Sequence, residues 1–253
     1  MDGLLLLSRN DIPFISAELN IHQPTIKEIA LIGDEVFFTG LQFLTIDKNS
    51  ISGLSPEEAQ QISNFDIFAH LVTDAAPASR LNKVCAESLL TLLFPDYIIK
   101  LTPAFIALSK EGEEKPHLIN KKNFNEFQSI LKEMFCLDLL HGGKPQTEYN
   151  AANKHAQMII DKIHKGRQKL AEINSQQNNG QKIAIFSRYI SILAVGERKD
   201  MNLLLEYSVY QLFDEFTRFN LREQSDLYLE AKMAGAQDLK EVENWMKDIH
   251  SKT

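Results

Sequence analysis

His141-Gly142-Gly143-Lys144 is the stretch most suggestive of chemistry, because paired glycines beside a lysine can cradle a phosphate. A phosphate loop, however, needs a longer glycine frame ending in Gly-Lys-Ser/Thr between a strand and a helix, and "HGGKPQTEYNAANK" has neither. Glycines, a proline and polar residues in that density mark a linker instead. Cys85 and Cys136 are the only cysteines, and neither has metal-ligand spacing to another Cys or His. Isolated cysteines suit a reducing cytosol better than a disulfide framework. His155 and His164 fall off the i,i+4 spacing of a helical metal site. Ser187 and the other serines have no nucleophile-elbow or triad-like context. No residue set announces a catalytic centre, and no cofactor is implied.

Two segments are better suited to binding than to catalysis. "KHAQMIIDKIHKGRQKLAEIN" reads as a basic amphipathic helix, with Lys154, Lys162, Lys165, Arg167 and Lys169 set against an apolar stripe of Met158, Ile159, Ile163 and Leu170. Clustered cations of this kind can displace counterions from a nucleic-acid backbone, and Lys162, Lys165, Arg167 and Lys169 are the candidate electrostatic contact. The plain alternative is a solvated face that balances an acidic protein. Near the end, Leu239, Val242, Trp245, Met246 and Ile249 make one apolar face on a short helix that Asp238 and Glu241 can cap. So short a helix is marginal alone and must dock on something. It can dock on the preceding helix. It can also offer Trp245 and Met246 to a partner, since interfaces favour those side chains.

The elements that would position these segments follow from apolar spacing and punctuation. Pro24-Thr25 opens a helical pattern whose continuity Gly33 and Gly40 interrupt. Ser55-Pro56-Glu57-Glu58 is a clean start for a helix carrying Ile62, Phe65, Ala69 and Val72 on one face. "SRLNKVCAESLLTLLFP" is a further amphipathic helix, ended by Pro95. From Asp96 to Asn120 the pattern shifts to short β-branched and aromatic runs, which predicts two or three antiparallel strands around a charged turn. Helix returns with Phe124, Phe127, Leu131 and Phe135 on one face. "MDGLLLLSRN" reads as a buried strand or short helix, too short to span a bilayer and flanked wrongly for a signal peptide. In the last section Gly196 should end one helix and Asp200 should begin the next, which carries the aromatic series Tyr207, Tyr210, Phe213, Phe216 and Phe219. Such a series at helical spacing is expected to be core, with Asp214 and Glu215 pairing on the surface with Arg218 and Arg222.

Together these patterns predict a mainly α, multi-helical protein with a small antiparallel β element near residues 97–119. Residues 1–140 form an N-terminal α+β lobe, 141–181 a linker and basic helix, and 182–253 a C-terminal helical lobe. The chain of 253 residues is long enough for one large or two modest domains, and 44% apolar with 24% charged residues is an ordinary globular balance. A formal charge of −7 argues against general nucleic-acid or anionic-membrane binding by the whole chain.

The C-terminal sequence "SRYISILAVGERKDMNLLLEYSVYQLFDEFTRFNLREQSDLYLEAKMAGAQDLKEVENWMKDIH" resembles tail-assembly proteins of tailed bacteriophages, of the tail-assembly-chaperone or baseplate-hub-associated kind. The likeness rests on "YQLFDEF" and the run from "DLY" to "NWMKDI", and "EYNAANKHAQMIIDKIHKGRQKLAE" looks like the linker helix upstream in such proteins. The resemblance implies a non-enzymatic protein acting in the bacterial host cytoplasm during assembly. It would bind the phage tape-measure protein or other tail or baseplate proteins, and it leaves room for a homo-oligomer. A structural component of the virion tail or baseplate is the first alternative. A nucleic-acid-binding protein using the 154–169 helix is the second.

Overall fold

The computed structural model describes residues 2–48, 62–74, 77–137 and 185–235, together with Asn244 and Met246. As expected, the protein is mainly α-helical with small antiparallel β elements. It divides into two compact units, one comprising Met1–Leu140 with Leu205–Gln211 and the other His141–Leu204 with Leu212–Thr253.

The first unit begins with helix α1 (Gly3–Leu7), whose start Asp2 caps by accepting from the Leu4 amide at 2.9 Å. Of the two readings of the leucine run, helix is correct, and Leu6 is its buried residue. A hairpin of β1 (Ile12–Phe14) and β2 (Leu19–Ile21) follows, and the sequence pattern did not announce it. Ile12, Phe14, Leu19 and Ile21 face the core, while Pro13 and Asn20 face solvent. Each strand offers only three residues, too few for a two-residue period to stand out from chance. The connection turns through Ile15–Ala17 and closes with Glu18 in the left-handed region (φ 53°).

Helix α2 (Ile26–Ile32) carries a complete capping box. The Thr25 hydroxyl accepts from the Glu28 amide, and the Glu28 carboxylate accepts from the Thr25 amide and hydroxyl at 2.7 and 2.9 Å. Gly33, at φ 87°, breaks the run before α3 (Asp34–Leu44), as the glycine had suggested. Gly40 does the opposite. It sits inside α3, where a Cβ would lie 2.5 Å from the Cys85 carbonyl oxygen on the helix packed against it. Its absent side chain permits close packing rather than a turn.

Helix α4 (Asn64–Thr73) starts at Ser63 with a second capping box, to Asp66, and buries Phe65, Phe68, Ala69 and Val72. The Ser55-Pro56-Glu57-Glu58 start lies outside the described residues. Helix α5 (Pro77–Leu93) buries Cys85, Ala86, Leu89, Leu90 and Leu93, and stops just before Pro95. Strands β3 (Ile98–Leu101), β4 (Ile106–Ser109) and β5 (His117–Ile119) then form the expected antiparallel sheet in the order 3-4-5. Helix α6 (Phe124–Met134) drives Phe124, Phe127, Ile130, Leu131 and Met134 into the core, with Phe135 buried at its C-cap.

Aromatic rings bind these elements into one core. Phe127 stacks between Phe14 of β1 and Phe94 after α5, at centroid distances of 5.6 and 6.1 Å. Phe124 meets Phe65 and Phe68 of α4, each at 5.3 Å. Beside them lies a buried polar clamp. The Gln128 amide donates to the carbonyls of Leu44 and Ile46 at 3.1 and 2.8 Å and accepts from Asn64 Nδ2 at 2.8 Å. Gln128, in the middle of α6, therefore ties that helix to the end of α3 and the start of α4. Replacing Gln128 with leucine should remove the partner of two carbonyls, costing about 1–3 kcal/mol, while Asn64 Nδ2 keeps its bond to Asn125 Oδ1. The expected readout is a lower urea midpoint with an unchanged denaturation slope.

The two capping carboxylates also set a pH dependence. Partial burial pushes the Glu28 and Asp66 carboxyls up. Hydrogen bonds from Thr25 with the neighbouring His22, and from Lys121 with Ser63, outweigh that burial and hold both below their ordinary values of 4.5 and 3.8. Groups lowered on folding contribute stability that is full above those ordinary values and is lost as pH falls through the lowered ones. Thermal midpoints from pH 7 down to 2 should therefore fall at the acid end for the natural chain. The drop should be shallower in Glu28→Gln or Asp66→Asn, and equal slopes would remove this explanation.

A distant piece of chain completes the first unit. Tyr207 O accepts from the Ile26 amide at 2.9 Å, Thr25 and Ser208 form an isolated antiparallel bridge, and Lys27 pairs with Glu206 at 2.8 Å. Gln211 Nε2 reaches the Leu7 carbonyl at 2.7 Å. These contacts separate what had been expected as one helix from Asp200 onward into α8 (Met201–Leu205) and α9 (Val209–Met233). Asp200 does serve its expected purpose, accepting from the Asn202 amide at 2.8 Å. The restart is local chemistry: Ser208 and Gln211 exchange side-chain and backbone hydrogen bonds in a capping box.

The second unit contains α7 (Ile185–Gly196), α8 up to Leu204, and α9 from Leu212. Phe186, Ile190 and Leu193 are the buried stripe of α7. Tyr189 stacks on Phe216 at 3.8 Å and meets Phe213 edge-on at 5.1 Å. Gly196 ends α7, as its position suggested, where a Cβ would lie 2.4 Å from the tip of the Phe219 ring.

Candidate interaction surface

Of the terminal apolar face expected as a partner contact, Leu239, Val242, Trp245 and Ile249 lie outside the described residues. Met246 is described. It is 69% exposed, and its amide donates to Asn244 Oδ1 at 3.0 Å. Lys162, Lys165, Arg167 and Lys169 also lie outside the described residues, as do His155, His164 and the His141–Lys144 loop.

The aromatic series is described in full, with Tyr207 in the break before α9 and Tyr210, Phe213, Phe216 and Phe219 on the helix itself. Tyr210 and Phe213 are buried, while Tyr207, Phe216 and Phe219 are half-buried. The expected core role thus holds for Tyr210 and Phe213 alone, and the series is half-buried at both of its ends. Burial pushes the Tyr189 hydroxyl above its ordinary value, against a smaller opposing pull from Arg188, as expected for a phenol packed between helices.

The charged residues beside this series pair more widely than i,i+4 spacing alone predicts. Arg218 Nε does donate to Asp214 Oδ2, one turn before it, at 3.0 Å. Glu215 instead pairs with Lys199 from the loop between α7 and α8, and Arg222 reaches Glu197 at 2.9 Å. The physical reason is the short α7–α8 connection, which carries Glu197 and Lys199 alongside the middle of α9. These ion pairs join the α7–α8 loop to α9, which the sequence spacing on one helix could not reveal.

Past Phe219 the same helical stripe becomes Asn220, Glu223, Leu227 and Glu230, and among the described residues α9 fully buries no side chain after Asp214. Leu227, Leu229 and Met233 stand exposed on this half of the helix, and Val195, Met201 and Leu203 are exposed on α7 and α8. Large apolar side chains held in water gain about 1.5–3 kcal/mol each when fully covered, so they are the chemistry a protein partner could use. Among the described residues, no group of three or more His, Cys, Asp or Glu side chains could hold a metal ion. Nor is any described helix long and apolar enough to cross a membrane.

Fold and surface thus define a mainly helical protein whose C-terminal helices combine an aromatic core with exposed apolar side chains. Residues 175–250 match the family model of the YomV second domain, a stretch that contains α7, α8, α9 and the Trp245 segment. That family is phage-derived, of the Bacillus phage SPBeta type, and the similarity suggests a phage protein. Comparison with curated proteins and with solved structures yields no match.

Proposed function

We propose that the chain is a non-enzymatic phage assembly factor that binds the tape-measure protein or other tail or baseplate proteins in the manner of a chaperone. Its place of action would be the bacterial host cytoplasm. The observation that carries this reading is the similarity of residues 175–250 to a phage-derived domain, over the same segment that resembles tail-assembly proteins. The exposed apolar side chains on α7, α8 and α9 support it, because reversible binding of another helix needs such a surface. The formal charge of −7 suits a factor that must keep an apolar client in solution.

The test is a pull-down of tagged protein from infected cells, run beside mass spectrometry of purified virions. Tape-measure or tail protein in the pull-down, with none of this chain in virions, is the expected result. Stoichiometric presence in virions would overturn it in favour of a tail or baseplate component. Within this proposal Trp245 is a partner anchor, so Trp245→Ala should weaken capture of the tail protein at least tenfold and leave the melting temperature nearly unchanged. A drop of several degrees with capture intact would make Trp245 a core residue of its own domain.

A further inference from the structure

We draw no further inference here: the strongest candidate, the exposed apolar patch of Leu227, Leu229 and Met233 on the C-terminal half of helix α9, carries nothing further because nothing in the structure shows what covers it.

Discussion

Phe127→Ala should lower the stability of the first unit by about 4 kcal/mol. Phe127 is fully buried and sits where three elements meet. Its ring stacks with Phe14 from the hairpin and Phe94 from the end of α5, and it neighbours Phe124 on its own helix at 6.2 Å. Truncation removes the transfer free energy of the ring and opens a cavity that none of these elements can fill alone, because each is fixed by other contacts. β1 is held by its pairing to β2, and α5 by its packing on α3 and α4. The melting temperature should fall by on the order of 10 °C, and by less in Phe127→Leu, which keeps most of the volume. A shift of only a degree or two in the alanine variant would mean that the ring cluster does not hold the hairpin to the helices.

Gly40→Ala should cost about 3 kcal/mol, from one added methyl group. In most helix interiors the same change is stabilising by up to about 1 kcal/mol, since alanine is the better helix former. The sign reverses here because the new Cβ would meet the Cys85 carbonyl oxygen at 2.5 Å, with Leu89 Cβ at 3.1 Å. A flexible side chain could swing aside, but the carbonyl belongs to the backbone of α5 and is held by that helix. Relief therefore requires α3 and α5 to separate, and their separation loosens buried Phe37, Leu41, Leu89 and Leu90 together. Thermal melts of Gly40→Ala and Gly40→Ser should both show the loss. A neutral or stabilised alanine variant would disprove the close approach of the two helices.

These two cases also show where sequence reasoning reaches its limit. The face of Phe124, Phe127, Leu131 and Phe135 is legible from spacing alone, because helical period places them on one side whatever lies opposite. That the ring of Phe127 stacks between residues 14 and 94 is not legible, since no local pattern encodes a contact across such separations. Gly33 and Gly40 make the point more sharply. Both read as interruptions of a helix, yet only Gly33 breaks it, at a positive φ that other residues rarely adopt. Gly40 remains helical, and its identity is explained by a neighbour that is far away in sequence.

The candidate site divides the same way. Helical spacing predicted a core series of five aromatics and a surface pair of Asp214 with Arg218. Tyr210 and Phe213 are core and the pair forms, but the other three rings are half-buried and Asp214 is itself buried. The pairing of Glu215 with Lys199 and of Arg222 with Glu197 joins the α7–α8 loop to α9, so it had no one-helix signature. The capping box of Ser208 and Gln211 did have one, the S-x-x-Q spacing, but it was submerged in a longer apolar pattern running from Asp200.

By itself the sequence determined the helical class, a small antiparallel element of two or three strands near residues 97–119, the aromatic residues Tyr210, Phe213, Phe216 and Phe219 at helical spacing, and the likeness to phage proteins. All of these depend on periodicity, punctuation or extended similarity, which are properties of contiguous residues. Only the tertiary structure decided the hairpin at Ile12–Ile21, the Gln128 clamp, the close helix crossing at Gly40 and the return of Leu205–Gln211 to the N-terminal unit. Each of those depends on which buried group meets which, and that is settled when distant segments must share one core and satisfy one another's backbone hydrogen bonds.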